Sequence, residues 1–447
     1  MNSNRSPDRL GRDAVYASAI LTLAYLLAFA DRTVIGLLAI PIEHQFQIGD
    51  LQLALLQGSA FAVFYAAFGL PISWALDRYD RRRIVALGVL LWSAMTCLGG
   101  LSHTFSGLFA ARVFVGIGEA TILPGATSLI ADLVPATRRG RVLGVFSAGI
   151  YAGSALALIG GGWVLHAMGG VALRVPVLGA LDPWRVVMLL AGLPGLLVGS
   201  LAFRMVEPPR RHVTAPASAP PNSAAGARRA GLTWLFAGFT ALAFANYAIS
   251  AWLPTLLARR FAWPLGRIGL VLGVIALLVG PLGSMVAGGL ADRVEQRGRS
   301  GGRVSVALGA ALGLAVAAIS LGASRGVTGE LIAITGFVFF GSFSWGLAAG
   351  AIQDSVDSRV VARVTAVYTA LLNLIALSAG PASVPLLMSA LRLPADAIGT
   401  AIAIVVPAAC VVAALALRAF QRARHAPSPA PVWPAAPRHN NDKETVR

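Results

Sequence analysis

Charge is scarce in this sequence: 12% of its 447 residues are charged, whereas 57% are hydrophobic and the mean hydropathy is +0.74. A chain of this length that folded in water would form about three domains and would need a far more polar surface. The composition therefore excludes an ordinary soluble protein and predicts one that lies in lipid.

Cysteine is nearly absent as well, with two residues in the whole chain. Cys97 and Cys410 lie far apart in separate hydrophobic segments, with no metal-ligand or redox spacing around them, so we interpret both as packing residues. The sequence also lacks a glycine-rich phosphate loop ending in Lys-Ser or Lys-Thr, which leaves direct ATP drive unsupported. We expect neither a metal nor a cofactor.

Ten-residue segments of alternating hydrophobicity, which build membrane barrels, are missing too. Hydrophobic segments of about twenty residues recur instead, each long enough to cross a hydrocarbon core of roughly 30 Å as a helix. Unpaired backbone groups are too costly in lipid, so these segments must be helical. The predicted spans are 14–40, 52–76, 84–101, 107–133, 142–168, 185–203, 231–257, 267–290, 304–322, 329–352, 364–390 and 398–418.

The predicted spans form two sets of six, separated by a long polar stretch rich in proline. This pattern predicts an all-α membrane protein of twelve transmembrane helices in two pseudo-symmetric six-helix bundles. The predicted parts are an N-terminus (1–13), an N-terminal bundle (14–203), a linker (204–230), a C-terminal bundle (231–420) and a disordered tail (421–447).

The net charge of +17 could indicate a nucleic-acid partner, so the position of the basic residues decides its meaning. The segments on the side of both termini hold 27 lysines and arginines, whereas the opposite loops hold five. Basic loops stay in the cytoplasm, so the bias predicts that both termini are cytoplasmic. The charge is explained by topology, and we expect no nucleic-acid partner.

A short acidic-basic turn follows both the second and the eighth predicted span. Asp77-Arg78 forms it in the first half, and Asp292-Arg293 forms it in the second. One copy in each half indicates an internal repeat. A carboxylate here can bond to the N-terminus of a neighbouring helix, and the arginine can bridge two helices. The turns therefore predict a latch that closes the cytoplasmic side. Ordinary basic loops with chance acids are the alternative.

The six-plus-six layout with paired turns resembles the major facilitator superfamily over nearly the whole chain. The N-terminal half is also similar to spinster-type transporters in Asp31-Arg32, in Arg112 with Gly116-Ile117-Gly118-Glu119-Ala120, and in Ser128-Leu129-Ile130-Ala131-Asp132. The related organic-anion symporters share the Asp-Arg pair, so that branch stays open. The first turn departs from the family pattern, because Ser73 and Asp80 stand where glycine is expected. The resemblance implies the major facilitator fold, with a binding site between the halves and alternating access.

Ionisable residues in the middle of a span are costly, and they usually face a partner or a water-filled cavity. Four stand out: Asp31, Arg32, Arg112 and Glu119. Arg112 and Glu119 are seven residues apart, so they lie on one helix face about 10 Å apart, with room between them for Asp31 or a substrate. We predict that the acids carry protons and that Arg112, with Arg32, holds an anionic group. A static ion network is the alternative.

The second half carries no ionisable residue in the middle of a span. Its candidates for substrate contact are Asn246, Tyr247, Tyr368 and Asn373, although helix packing explains such residues equally well. A cavity that is charged on one side and apolar on the other suits an amphiphile.

Together, these features predict a proton-coupled secondary transporter for a small organic anion or an amphiphile, either lysolipid-like or a carboxylate. We expect it to act as a monomer among the lipids of the inner (plasma) membrane and to have no enzymatic activity. A membrane receptor or enzyme without transport activity is the alternative. An enzyme would need a catalytic cluster near one interface, and a receptor would not need the doubled turns.

Overall fold

A computed structural model gives the fold and describes residues 11–176, 179–209, 225–297, 301–356 and 361–425. Twelve helical segments in these ranges are long and hydrophobic enough to cross a membrane, which confirms the predicted all-α membrane fold. Spans 1 to 12 are Arg12–Leu37, Asp50–Arg78, Arg81–Leu101, Phe105–Leu133, Ala136–Met168, Pro183–Ala202, Gly231–Phe261, Leu265–Gln296, Gly302–Ala323, Val327–Ser355, Val364–Ala390 and Ile398–Arg424.

Several spans consist of more than one helix. The α-helices are Arg12–Leu37, Ala39–Phe46, Asp50–Gln57, Ser59–Arg78, Arg81–Leu101, Phe105–Glu119, Ile122–Leu133, Ala136–Met168, Pro183–Ala202, Ala225–Ser250, Leu253–Phe261, Leu265–Gln296, Gly302–Ala323, Val327–Ser355, Val361–Leu371, Ser378–Ala390 and Ile398–His425. A π-helical turn, Leu372–Leu377, interrupts span 11. Because the number of spans is even, span 1 begins and span 12 ends on one face, here called the terminal face; the other is the distal face.

The connections between spans use the usual signals for starting and ending a helix. Asp80 accepts a hydrogen bond from the backbone N–H of Arg83 at the start of span 3, and Thr104 accepts one from Gly107 at the start of span 4. Gly169, with a φ of 57°, ends span 5 in the left-handed conformation that glycine adopts without strain. These residues set the helix boundaries at three of the connections.

The boundaries differ from the predicted ones in a few places. A short antiparallel hairpin, Leu173–Val175 with Gly179–Leu181, lies between spans 5 and 6, where the sequence analysis predicted no strand. The helix of span 7 begins at Ala225, inside the predicted linker, and the last helix continues to His425, so residues 421–425 belong to that helix and not to a disordered tail. Most of the predicted linker (210–224) and tail (426–447) lies outside the described residues.

The two halves meet most closely along spans 5 and 8. Gly269 of span 8 lies so near span 5 that a Cβ atom added to it would stand 2.2 Å from the carbonyl oxygen of Leu158 and 3.0 Å from the Cα of Gly162. Glycines at a membrane helix interface permit this approach because no side chain separates the backbones. In the middle of the same seam, the Tyr151 hydroxyl is 2.5 Å from Ser284 Oγ.

The second seam joins span 2 to span 11, and both helices are irregular there. Span 2 breaks at Gly58, where a Cβ atom would lie 2.5 Å from the carbonyl oxygen of Leu377. Leu377 is the last residue of the π-helical turn. Ser59 and Ser378, the next residues on each side, share a hydrogen bond of 2.9 Å. The halves therefore touch along one regular seam and one broken seam.

Substitution of Gly269 by alanine is expected to destabilise the protein by about 1–3 kcal/mol, because the new methyl group overlaps the backbone of span 5. Gly288, also in span 8, is the matched control, since a Cβ atom there would meet no atom within 4 Å. Gly288→Ala should be neutral or slightly stabilising. Thermal unfolding in detergent compares the two variants, and equal changes would contradict the close approach.

Candidate functional site

The four mid-span charges form two ion pairs between spans 1 and 4. Arg112 Nη1 donates to Asp31 Oδ2 at 2.6 Å, and Arg32 Nε donates to Glu119 Oε2 at 2.6 Å. Adjacent residues of opposite charge on span 1 therefore pair with two residues that are two turns apart on span 4. The acids and the arginines balance, so the set, here called the charged quartet, has no net formal charge.

The surroundings of the quartet hold each side chain in place. The Thr96 hydroxyl of span 3 donates to Asp31 Oδ1 at 2.6 Å, so both oxygens of that carboxylate are engaged. The Arg32 guanidinium lies over three rings, at 5.1 Å from Phe29, 4.5 Å from Phe61 and 5.3 Å from Tyr65. Cation–π contacts of this kind favour a cation in a partly desolvated site.

Exposure separates Arg32 from the other three members. The Arg32 side chain is 18% exposed, whereas those of Glu119, Arg112 and Asp31 are 0%, 1% and 2% exposed. Two atoms of the quartet, Arg112 Nε and Glu119 Oε1, have no hydrogen-bond partner among the described residues. The quartet thus keeps one partly exposed cationic group, Arg32, and one buried carboxylate oxygen, Oε1 of Glu119, available for further contacts.

A cavity of about 260 Å³ lies between the halves and meets the quartet at its N-terminal wall. Its N-terminal lining is Phe29, Arg32, Thr33, Gly36, Gln57, Phe61, Arg112, Ile150, Tyr151, Ser154 and Leu158; its C-terminal lining is Asn246, Tyr247, Ser250, Ala251, Leu253, Pro254, Leu272, Ala276, Phe337, Val338, Ser342, Trp345, Leu377 and Pro381. Arg32 and Arg112 are the only acidic or basic residues in this lining. The quartet therefore presents its cations to the cavity and keeps its acids behind them.

Comparison with known proteins identifies this architecture. Residues 21–381 match the sequence model of the Major Facilitator Superfamily, a family of membrane transporters. The chain belongs to the major facilitator superfamily. The resemblance inferred from the paired turns and the charged residues of spans 1 and 4 is thereby confirmed, and the relatives below make the chain a spinster-like member.

Three relatives show how far this likeness extends. An MFS-type efflux pump of Mycolicibacterium smegmatis is 29% identical over 296 residues, 65% of each chain. Human protein spinster homolog 1 is 30% identical over 372 residues, 76% of this chain and 66% of that protein. The crystal structure of a bacterial homolog of the human lysosomal transporter spinster, inward-facing and unoccupied, has 25% identity and a TM-score of 0.76, covering 93% of this chain and 99% of that one. This chain spans about two thirds of the length of these curated relatives.

The candidates in the second half of this major facilitator protein divide into two groups. Asn246 and Tyr247 line the cavity, where Asn246 Nδ2 also donates to the carbonyl oxygen of Gly341. Tyr368 lies outside the lining and packs on Phe236, with 5.4 Å between the ring centres. Asn373 lies in the π-helical turn and donates to the carbonyl oxygen of Thr369 on its own helix. In this conformation, Asn246 and Tyr247 line the cavity, whereas Tyr368 and Asn373 do not.

The four residues of the predicted latches lie exposed on the terminal face. The Arg78 guanidinium lies 4.3 Å from the ring centre of Trp74, on its own helix. Each ion pair described on this face joins residues of one half: Arg81 with Asp132 and Glu207, Arg82 and Arg83 with Asp80, and Arg303 with Glu295 and Asp354. The latching role of Asp77, Arg78, Asp292 and Arg293 stays a prediction for a state closed at this face.

Asp80, which stands where the family pattern has glycine, has a local structural role. Partial burial opposes ionisation of its carboxyl, but hydrogen bonds from the Arg83 amide and the Arg82 side chain outweigh that effect and lower its pKa. Arg81, the next residue, reaches Asp132 at the end of span 4 and Glu207 after span 6. Asp80 thus caps the start of span 3, and Arg81 connects that start to the ends of spans 4 and 6.

Ion pairs cross between the halves on the distal face. Arg259 at the end of span 7 contacts Glu43 Oε2 at 2.9 Å and Asp50 Oδ1 at 2.6 Å, and both acids belong to the N-terminal half. Arg260 beside it is fastened within its own half to Glu330 and to the carbonyl oxygens of Leu321 and Ser324. We call the contact of Arg259 with Glu43 and Asp50 the distal latch. It joins the two halves at the distal face.

Removal of the distal latch by Arg259→Ala is expected to shift the protein toward a state open at the distal face. Hydrogen bonds to charged groups contribute roughly 1.5–3 kcal/mol, and partial exposure of these groups reduces this toward 1 kcal/mol, so a shift of about five-fold is expected. The shift is measured as the rate at which a membrane-impermeant maleimide labels Ser250→Cys in the cavity, in vesicles of either orientation.

The control for this experiment is Arg267→Ala, since Arg267 is a distal arginine whose guanidinium lies over the ring of Trp263 in its own half. Ser250→Cys should be labelled at the same rate with Arg267→Ala as without it. Labelling from the distal side that is unchanged by Arg259→Ala would show that other contacts close this face.

Three residues at the site carry no sequence signal that distinguishes them. Thr96 supports Asp31 from span 3, Gln57 lines the cavity beside the break in span 2, and Trp345 lines its C-terminal wall. Isolated threonine, glutamine and tryptophan residues are common in membrane helices as packing and interfacial groups. Spacing on one helix does not reveal a contact that depends on how neighbouring helices are rotated.

Proposed function

We propose that this chain is a secondary active transporter that moves a small organic anion by alternating access and couples that movement to protons. The observation that carries the proposal is the arrangement of the quartet, which turns arginines toward a cavity shared by both halves and keeps the acids behind them. A carboxylate or a lysolipid-like amphiphile supplies the anionic group, and apolar lining accommodates the remainder. Such charges at membrane depth usually serve transport.

Coupling follows from competition for Arg32. An anion in the cavity and the Glu119 carboxylate both bind this guanidinium, so a proton on Glu119 leaves Arg32 available to the anion. The Glu119 oxygen without a partner among the described residues is the place for that proton. Proton and anion therefore bind together, with Asp31 holding Arg112 beside them.

Alternating access requires closure at each face in turn. The distal latch supplies it in the conformation described here, and the paired turns of spans 2 and 8 supply it in the opposite state. The excess of basic residues on the terminal face supports a cytoplasmic position for that face, and we assign the chain to the inner (plasma) membrane. The likeness to an inward-facing bacterial spinster homolog agrees with closure at the distal face.

Uptake into vesicles under an imposed pH gradient tests the proposal. Benzoate, gluconate and lysophosphatidate represent compact apolar, compact hydroxylated and long-chain anions. Gradient-dependent flux of at least one of them, above that of protein-free vesicles and lost when a protonophore is added, is expected from a proton-coupled carrier. A chain that moves none of the three under any gradient would favour the receptor or enzyme alternative.

A further inference from the structure

The cavity narrows the class of anion, and this inference rests on the proposed function. We propose that the cavity selects an aromatic monocarboxylate, bound by Arg32 at its carboxylate and by Trp345 at its ring. Two features carry the proposal: the number of exposed cations and the position of the aromatic side chains in the cavity.

Exposed charge sets the valence of the anion. Arg32 is the member of the quartet with appreciable exposure, and Arg112 is 1% exposed and committed to Asp31. The C-terminal wall offers neutral polar groups only, since Asn246, Ser250 and Ser342 accompany apolar residues there. One guanidinium fork matches one carboxylate, and a second anionic group would be left without a cation.

Aromatic side chains surround the space next to Arg32. Phe29, Tyr247 and Trp345 are each partly exposed and line the cavity from both halves. Tyr247 meets Trp345 edge-on, with 5.8 Å between the ring centres and an angle of 76°. Arg32, Tyr247 and Trp345 line the same cavity, so an anion bound to Arg32 shares that space with aromatic surfaces that suit a flat ring.

Comparison of two ligands with the same number of carbons isolates the ring contact. Benzoate and heptanoate binding is measured by calorimetry on the full-length protein and on Trp345→Leu, with Trp345→Phe as the conservative variant. Aromatic contacts contribute about 0.5–1.5 kcal/mol, so Trp345→Leu should weaken benzoate about 2- to 13-fold. Heptanoate should change less than two-fold, and Trp345→Phe should restore most of the benzoate affinity.

Arg32→Gln is the test of the anion site. Benzoate binding that is unchanged by Trp345→Leu would overturn the aromatic class and leave anion transport standing. Absence of benzoate binding at millimolar concentration would overturn the aromatic class as well. Binding of both ligands unchanged in Arg32→Gln would overturn the proposed function too, because no anion would then depend on the quartet.

Discussion

Glu119→Gln is expected to abolish the accumulation of substrate driven by a pH gradient. A gradient of two pH units can drive roughly 100-fold accumulation of a solute that moves with one proton, and this should fall to about one-fold in the variant. Glutamine keeps the size of the side chain and an oxygen that accepts from Arg32 Nε, but it can neither take up nor release a proton. Exchange of substrate without a gradient should persist, since Arg32 remains and has no competing carboxylate.

Glu330→Gln is the matched control for this experiment. Glu330 is also 0% exposed and also pairs with an arginine, Arg260, but it lies near the distal face and outside the cavity lining. Both variants therefore lose a buried glutamate, but only Glu119→Gln is expected to lose the proton site. Uptake by reconstituted vesicles measures both. Equal accumulation by Glu119→Gln and by the unmodified protein would exclude Glu119 as the proton carrier and favour a static ion network.

Asp31→Asn is expected to have the largest effect on stability, a loss of about 3–5 kcal/mol in the free energy of unfolding. Removal of one partner leaves Arg112 charged, 1% exposed and without a counterion, and breaking a buried pair in this way is strongly destabilising. The loss of Glu119 should cost less, because Arg32 is 18% exposed and rests on three aromatic rings. Thermal unfolding in detergent compares the two variants.

A second substitution separates charge from shape at this pair. Asp31→Asn combined with Arg112→Gln removes both charges and leaves two amides that can bond to each other and to Thr96. Stability should recover by more than half, while transport should stay impaired. Failure of the double variant to recover would mean that Asp31 stabilises the fold through a contact other than Arg112.

The spans could be predicted because lipid leaves the backbone so few options. A hydrophobic segment such as Leu265–Gln296 has to be helical wherever it lies in the bundle, so composition and length suffice. The π-helical turn at Leu372–Leu377 and the break at Gly58 could not be predicted in the same way. They depend on the contact between spans 2 and 11, which brings together residues more than 300 positions apart in sequence.

The sequence predicts which four residues form the quartet, but it does not predict which acid pairs with which arginine. Spacing places Arg112 and Glu119 on one face of span 4, but the rotation of span 1 decides which acid meets which arginine. The structure resolves this with Asp31 on Arg112 and Arg32 on Glu119, so that Arg32 has the exposed surface. Arg32, and not Arg112 as predicted, is therefore the better candidate for the main anion site.

The distal latch shows a second limit of sequence reasoning. Arg259 counts among the few basic residues of the distal loops, and Glu43 and Asp50 lie more than 200 positions away. Loops of membrane proteins are generally polar, so these three charges carry no local sign of a shared contact. Only the packing of span 7 against the connection between spans 1 and 2 reveals it.

The equal number of acids and arginines in the quartet has a consequence for the electrical behaviour of the carrier. A charge that crosses the membrane field gains or loses about 2.3 kcal/mol per 100 mV, but two matched ion pairs that shift together carry no net charge. A proton that travels with a monoanion adds none. Transport is then electroneutral, and the membrane potential should neither drive nor oppose it, so the current recorded across a supported membrane should stay at baseline during full turnover.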